Sequence, residues 1–247
     1  MFSKKNSNFL QIGVIILSVY VLGLSAYIYS APNNPADPDA IRTIIVNNPK
    51  MIVEALEAHY KAEVENKKKN RGSNLSQLSN DLFSNKTPNV GKTKYKVNVV
   101  EVYDFNCGYC KKAFNDINKL ISEKVKANFY FLDYPVLSKN SELLSRFSVA
   151  AHKLDPSKYF KVHASLMMNA RGKSKEQLLD LMQSHGYNRN AFSRKLESKE
   201  VTKQLQWNRE AGQKLSINGT PAFIINDEII DGYMGYDRLK QKIKEAQ

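Results

Sequence analysis

The sequence predicts an α/β fold, and three observations carry that prediction. Val97, Val99, Val100, Val102 and Phe105 form a dense β-branched and aromatic run, broken mainly by Glu101 and Asp104. Such a run reads as a strand buried on both faces, as in a parallel sheet. Directly after it, Ala113, Phe114, Ile117, Leu120 and Ile121 recur at helical spacing, so a helix follows the strand at once. Further on, a second apolar run at 127–132 leads into a long helical stretch. The chain then returns to strand at 222–225, turns at Asn226-Asp227 and pairs back through 228–233, a natural antiparallel hairpin.

In chain order, Lys4 and Lys5 precede an apolar run over residues 9–29. A basic start and an apolar stretch mean export. A signal-peptide core needs about 7–15 residues and a membrane span about 20, and this run is span-length. Tyr29-Ser30-Ala31 and Leu24-Ser25-Ala26 are poor cleavage sites, so an uncleaved anchor is preferred over a cleaved signal that would leave a soluble body. Lys4 and Lys5 stay inside, and the body faces an oxidising compartment, which for a bacterium is the periplasm.

Pro32, Pro35 and Pro38 make residues 31–38 a stiff spacer. Ile41, Ile44 and Ile45 mark a first short helix. Asn48-Pro49 caps a second, carrying Ile52, Val53, Leu56 and Tyr60, and Leu75, Leu78 and Leu82 suggest a third. The charged stretch from Lys61 to Arg71, with Lys67-Lys68-Lys69, reads as a solvated face or loop. Asn85 to Lys94 reads as a linker. These helices are too thin to bury a core of their own, so their apolar stripes need another copy or the flank of the main domain. The division is therefore 1–30 anchor, 31–90 linker and helical region, and 91–247 main domain. Within the last, helices fill about 138–216 and Leu239 and Ile243 mark a closing helix.

Cys107 and Cys110 are the only cysteines among 247 residues. A bridge across two residues closes too short a loop to stabilise a fold much. No second Cys/His pair at finger spacing offers zinc its four ligands, so no metal site is expected. Redox chemistry remains. Cys107 falls at the N-terminus of the helix, where free amides and the macrodipole favour a thiolate, with a pKa of roughly 3.5–7.5 in place of about 8.5. Cys110 lies on the same helical face but deeper, placed to resolve a mixed disulfide held at Cys107. An inert bridge is the alternative.

Downstream, Gly219-Thr220-Pro221 precedes the strand at 222–225. Together with Glu101-Val-Tyr-Asp-Phe-Asn-Cys107-Gly-Tyr-Cys110, this resembles the thioredoxin-fold disulfide oxidoreductases of the DsbA/DsbC/DsbG group, over roughly the last 155 residues. The resemblance implies a thioredoxin fold with an inserted helical subdomain, preceded here by the anchor and the helical extension. It implies that Pro221 is cis and shields the thiols, that the backbone of Thr220 pairs with the bound client strand, and that Gly108 and Tyr109 shape the active-site loop. It also implies that Glu101 is a buried acid serving Cys110; a solvent-facing acid at a strand edge is the other reading. The body looks DsbA-like, whereas Gly108-Tyr109 and Thr220 look like DsbC. Tyr109 stands where a DsbA-type oxidant carries histidine, which argues against extreme oxidising power.

His163 could line the active-site face but reads rather as a helix-surface histidine packing its ring, and Trp207 reads as core or interface. No Ser/His/Asp set or phosphate loop competes with the thiols. The formal charge of +13 is spread over the whole chain, so a membrane surface or acidic clients account for it and nucleic acid does not. The expected activity is a protein disulfide oxidoreductase, forming or isomerising disulfides, with no cofactor beyond the Cys107–Cys110 pair. A dedicated oxidase, or an anchored scaffold with an inert bridge, are the alternatives. Expected partners are unfolded or misoxidised exported proteins, a membrane redox protein of DsbB or DsbD type, and a second or third copy of the chain.

Overall fold

A computed structural model describes residues 17–26, 37–90 and 95–247. The chain forms two units, Met1–Val64 and Glu65–Gln247. In the first, residues 17–26 are helical, and among the described residues no helix is long and apolar enough to cross a membrane. Most of the expected anchor at 9–29 lies outside the described residues. Helix α1 (Pro38–Asn47) starts on Asp37, whose side chain accepts from the Asp39 amide at 3.1 Å, with Pro38 in its first turn. Helix α2 (Pro49–Leu82) follows after Asn48. Ile41, Ile44, Ile45, Ile52, Val53 and Leu56 are exposed.

Helix α2 corrects the sequence reading. The charged stretch is a solvated helical face as expected, but neither a loop nor a break: one helix runs through it, past Leu75 to its end at Leu82. Lysine, glutamate and alanine are good helix formers, and Gly72 alone costs only about 1 kcal/mol, too little to end a helix. Within the second unit, α2 buries Leu75 and Leu82, with Leu78 partly covered. The second unit therefore includes this part of α2 along with residues beyond 90.

The second unit holds a five-stranded sheet in the order β1-β3-β2-β4-β5. Strands β2 (Asn98–Tyr103) and β3 (Asn128–Asp133) are parallel, and helix α3 (Gly108–Ser122) connects them. Against β2, strand β4 (Ala222–Ile225) runs antiparallel, and β5 (Glu228–Asp231) closes the hairpin. The parallel expectation therefore holds on one side of β2 only. Inside the expected linker, Asn89–Val90 forms β1 against β3, a strand too short for periodicity to announce; residues 91–94 lie outside the described residues.

Both faces of β2 are covered. Val99 and Tyr103 join the large core beneath α3, while Val100 and Val102 face a smaller cluster with Leu75, Leu82, Ala211 and Leu215. Five helices, α4 (Lys139–Leu154), α5 (Tyr159–Asn169), α6 (Lys175–Ser184), α7 (Arg189–Leu196) and α8 (Lys199–Lys214), form the insertion. Helix α9 (Tyr236–Glu245) buries Leu239 and Ile243. Trp207 is partly buried against the smaller cluster. His163 is a second correction. It is fully buried, ringed by Tyr103, Phe105, Phe114, Phe131, Tyr159 and Phe160, and Nδ1 lies 3.2 Å from the Tyr159 hydroxyl. Burial holds its ring neutral, with the pKa pushed down to about 3.

Candidate active site

The site is built at the carboxyl end of β2. Asp104, fully buried, accepts from the Asn106 amide at 2.8 Å and from the Val136 and Leu137 amides at 3.0 Å each. One carboxylate thus ties the turn before the cysteines to the segment after β3. Asn106 continues the tie through Nδ2 to Ser138 and Ser141 Oγ at 3.2 and 3.0 Å. The Cys107 amide bonds the Asp104 carbonyl at 3.0 Å, and α3 then begins with Cys107 as its N-cap.

Both cysteines are free thiols. Cys107 Sγ accepts from the Cys110 amide at 3.4 Å, using a helix-terminal donor that has no partner inside the helix. The neighbouring Cys110 thiol, Thr220, and the Cys110 and Tyr109 amides favour the Cys107 thiolate over burial, bringing its pKa down to about 5. Cys107 keeps 7% exposure and Cys110 none. Burial, together with the Cys107 thiolate beside it, pushes the Cys110 thiol far above the usual range. Both sulfurs are buried, but Cys107 keeps a sliver of surface and a setting that favours its thiolate at neutral pH, whereas Cys110 is held as a protonated thiol.

Glu101 sits on the β2 face shared by Val99 and Tyr103, fully buried, and neither carboxylate oxygen has a hydrogen-bond partner. Burial first, and the Cys107 charge second, hold its pKa well above the carboxylate range. The strand-edge alternative is thereby excluded. From the far end of the unit, Thr220 brings its carbonyl to within 3.2 Å of Cys107 Sγ, which donates to it when protonated. The Thr220–Pro221 peptide is cis, and Pro221 is buried. Gly108 and Tyr109 lie exposed between the sulfurs. Among the described residues, no group of three or more His, Cys, Asp or Glu side chains is placed to hold a metal ion.

A family model described as thioredoxin matches residues 84–245. The chain belongs to the thioredoxin family. Disulfide bond formation protein D of Bacillus subtilis is 26% identical over 188 residues, covering 70% of this chain and 85% of that protein. Among solved structures, the thiol-disulfide exchange protein alpha-DsbA2 of Wolbachia pipientis superposes with a TM-score of 0.67 at 27% identity, covering 73% of this chain and 97% of its own. ScsC of Proteus mirabilis, in a transitional conformation, gives 0.64 at 28% identity over 83% of this chain and 93% of its own. This thioredoxin-family protein is thus a DsbA-like thiol–disulfide oxidoreductase, which sets the scaffold alternative aside.

Sequence reasoning missed part of this thioredoxin-family site. Asp104 looks like a strand-end acid, and only the three amides reveal its task. Tyr233 packs its ring 6.0 Å from Tyr109 and donates to Asp116 Oδ2 at 2.7 Å. Gly232 and Gly235 flank it in left-handed conformations (φ +85° and +79°), a pairing that could have drawn attention to the turn. Lys112 lies 5.1 Å from the centre of the Tyr109 ring. Val136 and Leu137, which the sequence reading passed over, stand exposed beyond Asp104.

Proposed function

We propose that this protein exchanges disulfides with exported polypeptides through Cys107 as the nucleophile and Cys110 as the resolving thiol. The observation that carries the assignment is the contrast between the two sulfurs: a thiolate with pKa about 5 at the helix start and a buried thiol behind it. In the reducing direction, Cys107 thiolate attacks a client disulfide, the client S–S bond breaks, and one client sulfur leaves as thiolate. Cys110 then loses its proton and attacks the Cys107 sulfur, releasing the second client thiolate and leaving the Cys107–Cys110 bridge. In the oxidising direction a client thiolate attacks Cys107 and Cys110 leaves.

Glu101 is the proton partner of Cys110. Held neutral, it can protonate Cys110 as that sulfur leaves. Once Cys107 is tied in a mixed disulfide its negative charge is gone, so one of the two influences that keep Glu101 protonated disappears; Glu101 then releases its proton to solvent and, as a carboxylate, takes the Cys110 proton. Thr220 offers its carbonyl to the client backbone, and Pro221 covers the sulfurs. Exposed Tyr109, Val136 and Leu137 give apolar purchase for unfolded chains.

A low thiolate pKa stabilises the dithiol and so supports oxidation of clients, while Thr220 and Gly108-Tyr109 support isomerisation; the reading is a protein capable of both. It works in the bacterial periplasm, tethered through residues 9–29, and is recharged by a membrane partner of DsbB or DsbD type. The exposed apolar residues of α1 and of the first turns of α2 support self-association as a dimer or trimer. Replacing Cys110 with Ala tests the central assignment. Cys110→Ala accumulates client adducts that dithiothreitol removes, and the same cells lacking Cys107 accumulate none. Absence of adducts in Cys110→Ala overturns it.

A further inference from the structure

The charged stretch of α2 ends in a residue that is not on a solvated face. Arg71 keeps only 12% side-chain exposure, and it directs three donors onto two distant segments. Nε bonds the Leu215 carbonyl at 2.9 Å, while Nη1 and Nη2 take the two oxygens of Asp231 at 2.7 and 2.8 Å. Leu215 is the C-cap of α8, where helix carbonyls lack partners. Asp231 is the last residue of β5 and pairs with Ala222, directly after Pro221. Beside it, the Gly232 amide bonds the Pro221 carbonyl at 3.0 Å.

These two anchor points bracket residues 216–221. The bracketed loop has little packing of its own at its tip. Asn218 and Gly219 are exposed, nothing lies within 4 Å of a side chain built on Gly219, and Thr220 Oγ1 is buried without a partner. Further holds act at its entry: Asn74 Nδ2 bonds the Lys214 carbonyl at 2.7 Å, and the Tyr134 hydroxyl bonds the Ile217 carbonyl at 3.3 Å. Among the described residues, Arg71 alone bonds both sides.

We propose that Arg71 is a positioning residue: its guanidinium fixes both ends of the loop that presents Thr220 to Cys107 and to an incoming polypeptide. A planar fork can hold a carboxylate with two donors and a carbonyl with the third, whereas an ammonium is a single point with no such span. The proposal rests on the assignment of Thr220 as the residue that pairs with the client backbone. A client strand that must meet both a carbonyl and a sulfur is sensitive to misplacement of either, and about 1 Å can cost up to ~100-fold. A small disulfide needs only the sulfur.

The test uses the full-length chain and its Arg71→Gln, Arg71→Lys and Asp231→Asn variants. Insulin reduction with dithiothreitol as electron source gives kcat and KM for a polypeptide disulfide. The second-order rate of first attack on 5,5′-dithiobis(2-nitrobenzoate) at pH 7 reports Cys107, and Cys110 acts only afterwards in releasing the second aryl thiolate. In both Arg71 variants KM for insulin rises about tenfold, with kcat and the small-disulfide rate within about twofold of wild type. Asp231→Asn, which keeps the shape of the pair and loses its charge, raises KM about threefold. An unchanged KM in Arg71→Gln overturns the proposal, as does a parallel fall in both assays, which would signal general damage. Failure of the unsubstituted protein in both assays instead overturns the thiol-exchange reading beneath it.

Discussion

Two carboxyl groups three residues apart are both removed from water, and their surroundings give them opposite tasks. Asp104 accepts from three backbone amides and acts as a structural clasp. Glu101 accepts from none, and an unsatisfied buried carboxyl resists ionisation. A Glu101→Gln variant keeps the shape and loses the exchangeable proton. Its Cys107 titration stays in place, because a neutral group replaces a neutral group, while steady-state exchange slows about tenfold or more at pH 7. Stopped-flow measurement of mixed-disulfide decay checks this; an unchanged decay rate removes Glu101 from the mechanism. Thiolate absorbance at 240 nm is expected to follow one titration with a midpoint about 5. The folded pKa is depressed relative to about 8.5 for an unfolded cysteine. Between those values the unfolded state binds the extra proton, so ionisation of Cys107 makes the reduced protein more stable as pH rises from about 5 to about 8.5, a gain complete above that window and lost as pH falls back through it. Denaturant unfolding of wild type and Cys107→Ser across this range measures the difference; parallel curves would contradict it.

At the scale of elements, the site is an intersection. β2 delivers Glu101 and Asp104, α3 delivers the sulfurs, and the loop between α8 and β4 delivers Thr220 and Pro221. The seat of that loop depends on how closely α8 approaches Tyr134. Gly212 faces this ring, and a methyl group there would come within 2.4 Å of it. Gly212→Ala therefore pushes α8 or Tyr134 aside, and the strain is expected to cost about 1–3 kcal/mol in urea unfolding. Because the Tyr134 hydroxyl also bonds the Ile217 carbonyl, the same variant loosens the entry to the Thr220 loop. A stability equal to wild type would mean that the contact relaxes freely.

For the whole molecule, the two units divide the labour. Glu65–Gln247 holds every residue assigned to chemistry, and its sheet is closed on both faces without the first unit. A chain starting at Glu65 is therefore expected to fold and to reduce a small disulfide at the wild-type rate within about twofold. The exposed isoleucines of α1 and the first turns of α2 belong to Met1–Val64, so the same truncation is expected to sediment as one chain while residues 37–247 sediment as two or three. Sedimentation equilibrium decides, and equal masses per particle for both would end the self-association proposal.

Much of this was written locally. Cys107 and Cys110 at a strand–helix junction, Pro221 at a strand start, and the order of strands and helices follow from neighbours within a few residues, where periodicity and capping act. The short β1, the unbroken α2 and the burial of His163 were not legible, because pairing partners and packing neighbours are chosen across the fold. The same holds for the site's finer chemistry. The Thr220 carbonyl lies 113 residues from the sulfur it meets, and Arg71 lies 160 residues from Asp231. Sequence by itself put Cys107 at a helix start, whose free amides favour a thiolate. Only the tertiary structure decided what surrounds that thiolate, because desolvation of Glu101 and the reach of Arg71 depend on atoms brought together by the whole sheet and its covering helices.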